Sequence, residues 1–231
     1  MSGGRNEVRV ANEPTMNSSD ARALVLRRIQ AAKGAAPEAT VIEREWCAIE
    51  RNYQRTATRG REAVLELLED RLRDYDAHVM RVRPNEVAAT VAMMLRERGK
   101  QRVVIPAGLT ADWLPEGFEF VVDHGASAVE LDGFDGVVTG ATVAIAETGS
   151  IVLQDVPGQG RRAVTLVPDY HLCLVRVEDV VETVPEAMDR LRATATLPTT
   201  FFSGPSATAD IEMTRIKGVH GPRFLDVILV G

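Results

Sequence analysis

The segment Ala77 to Ile105, AHVMRVRPNEVAATVAMMLRERGKQRVVI, decides the fold class. Ala77 to Val82 reads as a short strand. Pro84, Asn85 and Glu86 open a helix, because proline is pre-set for the first helical turn. The helix carries a stripe of Val87, Val91, Met94 and Leu95 at helical spacing, and Gly99 closes it. Arg102 to Ile105 is then a second short, β-branched strand. Strand, helix, strand is the βαβ unit, which implies parallel pairing through a right-handed crossover.

Downstream, further β-rich segments are Glu119 to Val122, Thr142 to Ala146, Ser150 to Leu153, Ala163 to Val167, His171 to Arg176, Thr199 to Phe202 and Phe224 to Val230. A helix from about Pro185 to Leu191 separates two of them. The expectation is an α/β domain over 76–231 with a mostly parallel sheet flanked by helices. Upstream, residues 19–75 read as an N-terminal helical extension. One helix is capped by Ser19 or Asp20 and stopped by Gly34. Another is expected between Ile42 and Thr58, and a third from about Arg61 to Tyr75 with Val64, Leu65, Leu68 and Leu72 on one face. Met1 to Ser18 is polar and aperiodic and is expected to be a disordered tail.

Composition narrows the function classes. The chain has 231 residues, 45% hydrophobic and 26% charged, an ordinary soluble balance. Lys plus Arg number 27 against 33 Asp plus Glu, a net charge of −6. Nucleic-acid binding relies on neutralising phosphates, so no nucleic-acid partner is expected. Aromatics at 5% leave few platforms for stacking bases. No apolar run approaches the roughly 20 residues of a membrane helix, and the start lacks a signal-peptide core, so a cytoplasmic location without membrane contact is expected. Cys47 and Cys173 lie far apart, outside any metal or cluster spacing, and read as reduced, buried thiols. No metal and no cofactor is expected.

Candidate chemistry falls in loops of the C-terminal half, expected near the carboxyl ends of strands, where open α/β sheets bind ligands. Between two apolar strands lies Glu147-Thr148-Gly149-Ser150. It reads either as a hairpin with Gly149 in the turn or as a site with Glu147 as acid, base or nucleophile, Thr148 and Ser150 donating beside it. Gly158-Gln159-Gly160-Arg161-Arg162 is a solvated basic turn or an anion grip, with one of Arg161 and Arg162 facing the ligand. It lacks the third glycine of a dinucleotide fingerprint. In Ser203-Gly204-Pro205-Ser206-Ala207-Thr208-Ala209-Asp210, Pro205 and Ser206 are expected to start a helix. Ser203, Gly204, Ser206 and Thr208 would line an anion site at its N-terminus, and Asp210 would match the helix dipole. The alternative is plain capping. Gly218-Val219-His220-Gly221-Pro222-Arg223 places His220 between glycines as a donor or proton carrier. Gly221 lies beside the ligand there, and Arg223 binds it or pairs with Asp210 or Glu212. His78 and His124 read as structural, and Asp169-Tyr170-His171 is too weak a pattern to indicate a metal.

These loops, with Pro168-Asp169-Tyr170-His171, occur together and in order. Their series closely resembles the lactate utilization protein C family (LutC, also called YkgG), a LUD domain family, over roughly residues 60 to 231. The resemblance implies a fold similar to the ribose-5-phosphate isomerase, glucosamine-6-phosphate deaminase and CoA-transferase group. It also implies membership of a three-protein system oxidising L-lactate to pyruvate, with LutA- and LutB-like iron–sulfur proteins as partners and a small anionic metabolite as ligand. The absence of cysteine clusters suits a non-iron–sulfur subunit. Glu147-Thr148-Gly149 is also similar to the Glu-x-Gly turn of CoA transferases, though Ala146 and Thr148 depart from that pattern. Its implication is the alternative: an independent enzyme on a CoA-linked or phosphorylated molecule, with Glu147 as nucleophile or base. A scaffold or regulatory partner is the third reading.

Overall fold

A computed structural model describes residues 18–34, 38–208, 216–218 and 220–231. The tail expected over Met1–Ser18 lies, apart from Ser18 itself, outside the described residues. The chain divides into two compact units, 1–52 and 53–231. In the first, α1 spans Ser18–Lys33 and α2 spans Ala39–Ala48. The helix expected to reach Thr58 ends at Ala48, and Ile49 is extended. Further along, Thr58 and Arg59 give their backbone N–H groups to the buried carboxylate of Glu182, at 2.8 and 2.9 Å. A helix continued to Thr58 would compete for those donors, so a tertiary contact overrides the local pattern.

The second unit begins with α3 (Arg61–Asp74), β1 (His78–Val82), α4 (Val87–Glu97), β2 (Arg102–Ile105), β3 (Glu119–Val122) and α5 (Ala128–Asp132). It continues through β4 (Gly136–Thr139), β5 (Val143–Ile145), β6 (Ser150–Gln154), α6 (Arg162–Leu166), β7 (Tyr170–Arg176) and β8 (Val180–Val181). Last come α7 (Val184–Leu191), β9 (Thr199–Phe202), β10 (Ala207–Thr208), β11 (Ile216–Lys217) and β12 (Phe224–Val230).

The architecture is α/β. A six-stranded sheet runs in the order β1-β12-β7-β4-β2-β3, with every pairing parallel. A smaller sheet, β8-β5-β6-β9, is antiparallel except for β5 with β8. The opening βαβ reading is right in sense and wrong in partner. Strands β1 and β2 share the parallel sheet, but β12, β7 and β4 stand between them. A crossover helix forces the two strands to run the same way. It does not choose the neighbour, and the last strand of the chain takes the place beside β1, His78 opposite Asp226.

Four clusters of apolar residues fill the layers. One lies between the parallel sheet, the small sheet and α3, and holds Leu68, Leu72, Ile151, Cys173 and Val227. The stripe foreseen on Arg61–Asp74 therefore packs into the same core as the sheets. The opposite face of the parallel sheet is covered by α4 through Val87, Val91, Met94 and Leu95, all at 0% exposure. Burying such a side chain contributes about 1.5–3 kcal/mol. Helix α7 covers the outer face of the small sheet, and α5 with α6 covers Val104 and Val137.

Two strand readings fail, for one reason. Ala163 to Val167 is no strand: it lies in α6 as far as Leu166, with Val167 at its C-cap and Val164 packed near Leu131. Meanwhile β4, four fully buried residues at the centre of the sheet, escaped notice. Short apolar runs carry no period that separates helix from strand. Cys173 is buried as expected, whereas Cys47 is exposed, a correction. No helix among the described residues is long and apolar enough to cross a membrane.

Candidate functional site

A cavity of about 250 Å³ opens between α6 and the first residues of β7 and β12. Arg162, His171, Ser203, Ser206, His220 and Gly221 line it, with Phe202, Leu166 and Leu225 as apolar wall. That volume lies below the usual range for drug-sized ligands and suits a small metabolite. The expected place was the carboxyl ends of strands. Phe202 and Ser203, at the carboxyl end of β9, do line the cavity, but it meets the parallel sheet at His171 and Leu225, the second residues of β7 and β12. The reason is connectivity: Asp169 and the 220–222 loop immediately precede parallel strands, and what precedes such a strand sits at its amino end.

Two candidate loops are zipped together here. The Ser206 N–H donates to the Pro222 carbonyl (2.8 Å), and the Gly218 N–H to the Ser206 carbonyl (2.9 Å). The His220 N–H donates to Ser206 Oγ (3.0 Å). Gly204 enables the entry: at φ +79° a Cβ there would lie 2.5 Å from Tyr75 Cβ. The helix expected from Pro205 and Ser206 does not form. Ala207 and Thr208 are extended and pair with Lys217 and Ile216, so this loop presents no helix N-terminus to the cavity. The hydroxyl of Ser206 caps a loop, not a helix. Asp210 lies outside the described residues.

Other candidates go elsewhere. Glu147-Thr148-Gly149-Ser150 forms the hairpin turn between β5 and β6, with Gly149 at φ +59°. Glu147 is exposed there, outside the cavity. Ser150 reaches toward it indirectly: Thr148 Oγ1 donates to Ser150 Oγ (2.8 Å), which shares a hydrogen bond with Ser203 Oγ (2.7 Å). Gly160 and Arg161 border a separate crevice. Arg161 donates from Nε and Nη2 to the Asp123 carboxylate at 2.7 and 2.9 Å and also bonds the Ala126 carbonyl. That guanidinium holds the Asp123 carboxyl below the usual range. Arg162 makes no ion pair among the described residues, so it is the arginine of the pair that faces the cavity. Arg223 donates to Asp169 (2.6 Å), on a neighbouring concavity that shares His220 and Gly221.

His171 lines the cavity, although the sequence pattern recommended it only as half of a weak metal pair. The ring is 3% exposed, its Nε2 lies 2.7 Å from Thr139 Oγ1, and Phe202 packs on it at 5.2 Å. Burial, with the Arg162 charge adding to it, pushes the imidazole down to about 3, so the ring is neutral. Asp169 and His171 therefore face different partners. Among the described residues no group of three or more His, Cys, Asp or Glu is gathered to hold a metal. The signal that could have found His171 is its place directly before the apolar run Leu172 to Val175, since a histidine buried there needs a partner.

A family model described as LUD domain matches residues 17–230. The chain belongs to the LUD domain family. Among its relatives, lactate utilization protein C of Deinococcus radiodurans is 43% identical over 182 residues, covering 78% of this chain and 85% of that one. Lactate utilization protein C of Bacillus subtilis is 33% identical over 132 residues, 53% of this chain and 55% of the relative. The crystal structure of a DUF162 family protein from Deinococcus radiodurans superposes with a TM-score of 0.66 at 38% identity. It covers 75% of this chain and 99% of its own, so the α/β core described above is that of a solved LUD relative.

Proposed function

We propose that this LUD protein serves lactate utilization as the subunit without iron–sulfur clusters. It holds a small carboxylate in the cavity between α6 and the starts of β7 and β12. The observation that carries the reading is Arg162: a guanidinium without an acidic partner among the described residues, lining a concavity with two histidines and Ser206. A guanidinium grips a carboxylate by parallel hydrogen bonds, and the apolar wall of Phe202, Leu166 and Leu225 suits a short aliphatic remainder. Ser206 and His220, which line the same cavity, would complete the grip. The names of the relatives supply the system, a multi-protein one for lactate, whose iron–sulfur members would be the partners. Glu147, on its exposed turn, stands apart from this constellation, which favours the carboxylate reading over acyl transfer through that residue.

Calorimetry with L-lactate tests the cavity, and dye reduction by the reconstituted system tests the role. The proposal expects lactate binding that is weakened in Arg162→Ala, and lactate-dependent reduction that requires this chain. Full activity of the partner proteins without it would overturn the assignment.

A further inference from the structure

The connections of the parallel sheet part at one place. From β2 the chain goes to β3 on one side, whereas the next parallel strand after β4 is β7, on the other. Strands β2 and β4 are neighbours, so these two connections diverge from a common line. In open α/β sheets such a divergence leaves a crevice outside the carboxyl ends, where ligands bind. A crevice of about 340 Å³ lies there. Thr110 and Trp113 line it from the β2 side, Gly140 from the β4 side, and Arg176 and Glu178 from the end of β7. A strap, 157–159, is tied across both strand ends. The Gly158 N–H donates to the Ala107 carbonyl and the Gly140 N–H to the Gly158 carbonyl, both at 2.8 Å.

The strap carries the group that points to a ligand. Gln159 is 8% exposed, and the fold fixes which way its amide faces. The Gln154 N–H can only donate, so the amide atom 2.8 Å from it is the oxygen, which the Thr142 hydroxyl also reaches at 2.7 Å. The amide NH2 is then the other atom, with two protons and no acceptor among the described residues. No buried side-chain nitrogen or oxygen among those residues lacks a partner. This NH2 is therefore reached from outside, through the crevice that Gln159 lines.

The remaining wall narrows the ligand class. Trp113 packs one part of its ring on the core beside α4, and the Arg176 guanidinium lies 5.7 Å from the ring centroid. Indole and guanidinium planes are both stacking surfaces for a flat heterocycle. Glu178 is held by Arg176 at 3.6 Å, and with Asp179 it offers carboxylate oxygens to hydroxyl donors. Two carboxylates against one guanidinium disfavour a phosphate in this lining. We infer that the crevice is a second ligand site and that it takes a nucleoside. The base lies against Trp113 and Arg176, an acceptor on its edge receives the Gln159 NH2, and ribose hydroxyls donate to Glu178. This inference stands independently of the carboxylate cavity.

The test uses the full-length chain and its own reporter. Trp46 and Trp113 are its two tryptophans, so Trp46→Phe leaves Trp113 as the one emitter. That variant is titrated with adenosine, guanosine, cytidine and uridine, and with adenine and D-ribose alone. The expected result is saturable quenching by at least one nucleoside, with a Kd below about 1 mM. Gln159→Glu keeps an oxygen for the Gln154 N–H and the Thr142 hydroxyl but replaces the NH2 by an anionic oxygen. It should weaken nucleoside binding at least about tenfold. Glu178→Ala, at an exposed position, should weaken adenosine about threefold or more and leave adenine unchanged. Absence of saturable quenching by every nucleoside overturns the inference. So does D-ribose binding as tightly as adenosine, or nucleoside affinity that neither variant changes.

Discussion

The two ends of the parallel sheet treat their polar groups differently. At the carboxyl ends, loops close on one another. The Gly140 N–H donates to the Gly158 carbonyl and the Gly158 N–H to the Ala107 carbonyl, both at 2.8 Å. The Gln159 side chain accepts from the Gln154 N–H (2.8 Å) and Thr142 Oγ1 (2.7 Å), and Arg161 is spent on Asp123. At the starts of β7 and β12, by contrast, the backbones of the two loops pair, but Arg162 and one nitrogen of His171 are left without protein partners among the described residues. Adjacent residues, Arg161 and Arg162, thus have opposite fates. One completes the fold, and the other lines the cavity with no acidic partner among the described residues.

The largest expected effect tests the open end through acid. The unfolded chain protonates His171 near its ordinary 6.5, whereas the fold resists until about 3. The unfolded state therefore binds more protons in between, and stability falls as pH drops from 6.5, by up to about 1.4 kcal/mol per unit. Glu182 has linkage of the same sign in a lower pH window. Backbone N–H groups of Thr58 and Arg59 hold its carboxyl at about 2, below its ordinary 4.5, so its stabilisation is lost only as pH falls below 4.5. Urea unfolding between pH 6.5 and 4.5 isolates the histidine, and His171→Gln should flatten that slope. A slope unchanged in the variant would show the ring to be solvated.

The closed end comes next. Arg161→Ala strips the partner from Asp123, whose side chain is 8% exposed, and should cost about 2 kcal/mol of stability while sparing ligand affinity. Its neighbour should behave inversely. Arg162→Ala is expected to change stability by less than about 0.5 kcal/mol. It should weaken L-lactate binding at least tenfold, about 1.4 kcal/mol. Similar outcomes for the two variants, in denaturation and calorimetry, would erase the distinction between the ends. The smallest effect belongs to the hairpin turn, where Glu147→Gln should leave stability within about 0.5 kcal/mol and lactate affinity unchanged. A substantial loss of binding there would move the site to Glu147.

Much of this is legible in the amino-acid sequence. The stripes Val87-Val91-Met94-Leu95 and Val64-Leu65-Leu68-Leu72 are buried where their spacing requires. The loops carrying Ser203, Ser206 and His220 do converge. Glu147 and Arg161 looked equally chemical in sequence, but a charged residue beside glycine reads the same whether its partner is solvent, an aspartate or a ligand. Asp123 lies 38 positions before Arg161, and no local pattern connects them. The helix expected at Pro205 fails because Ala207 and Thr208 find a second strand, again a partner from elsewhere in the chain.

The amino-acid order alone determined the α/β class, the helical stripes, the turn at Gly149 and the set of loops able to carry chemistry, because period and backbone freedom are local properties. Only the tertiary structure decided that β12 lies beside β1, that Arg161 and not Arg162 finds an acidic partner among the described residues, and that His171 is a neutral wall of the cavity. Those outcomes depend on which distant groups satisfy one another once water is removed, and that pairing is settled by packing.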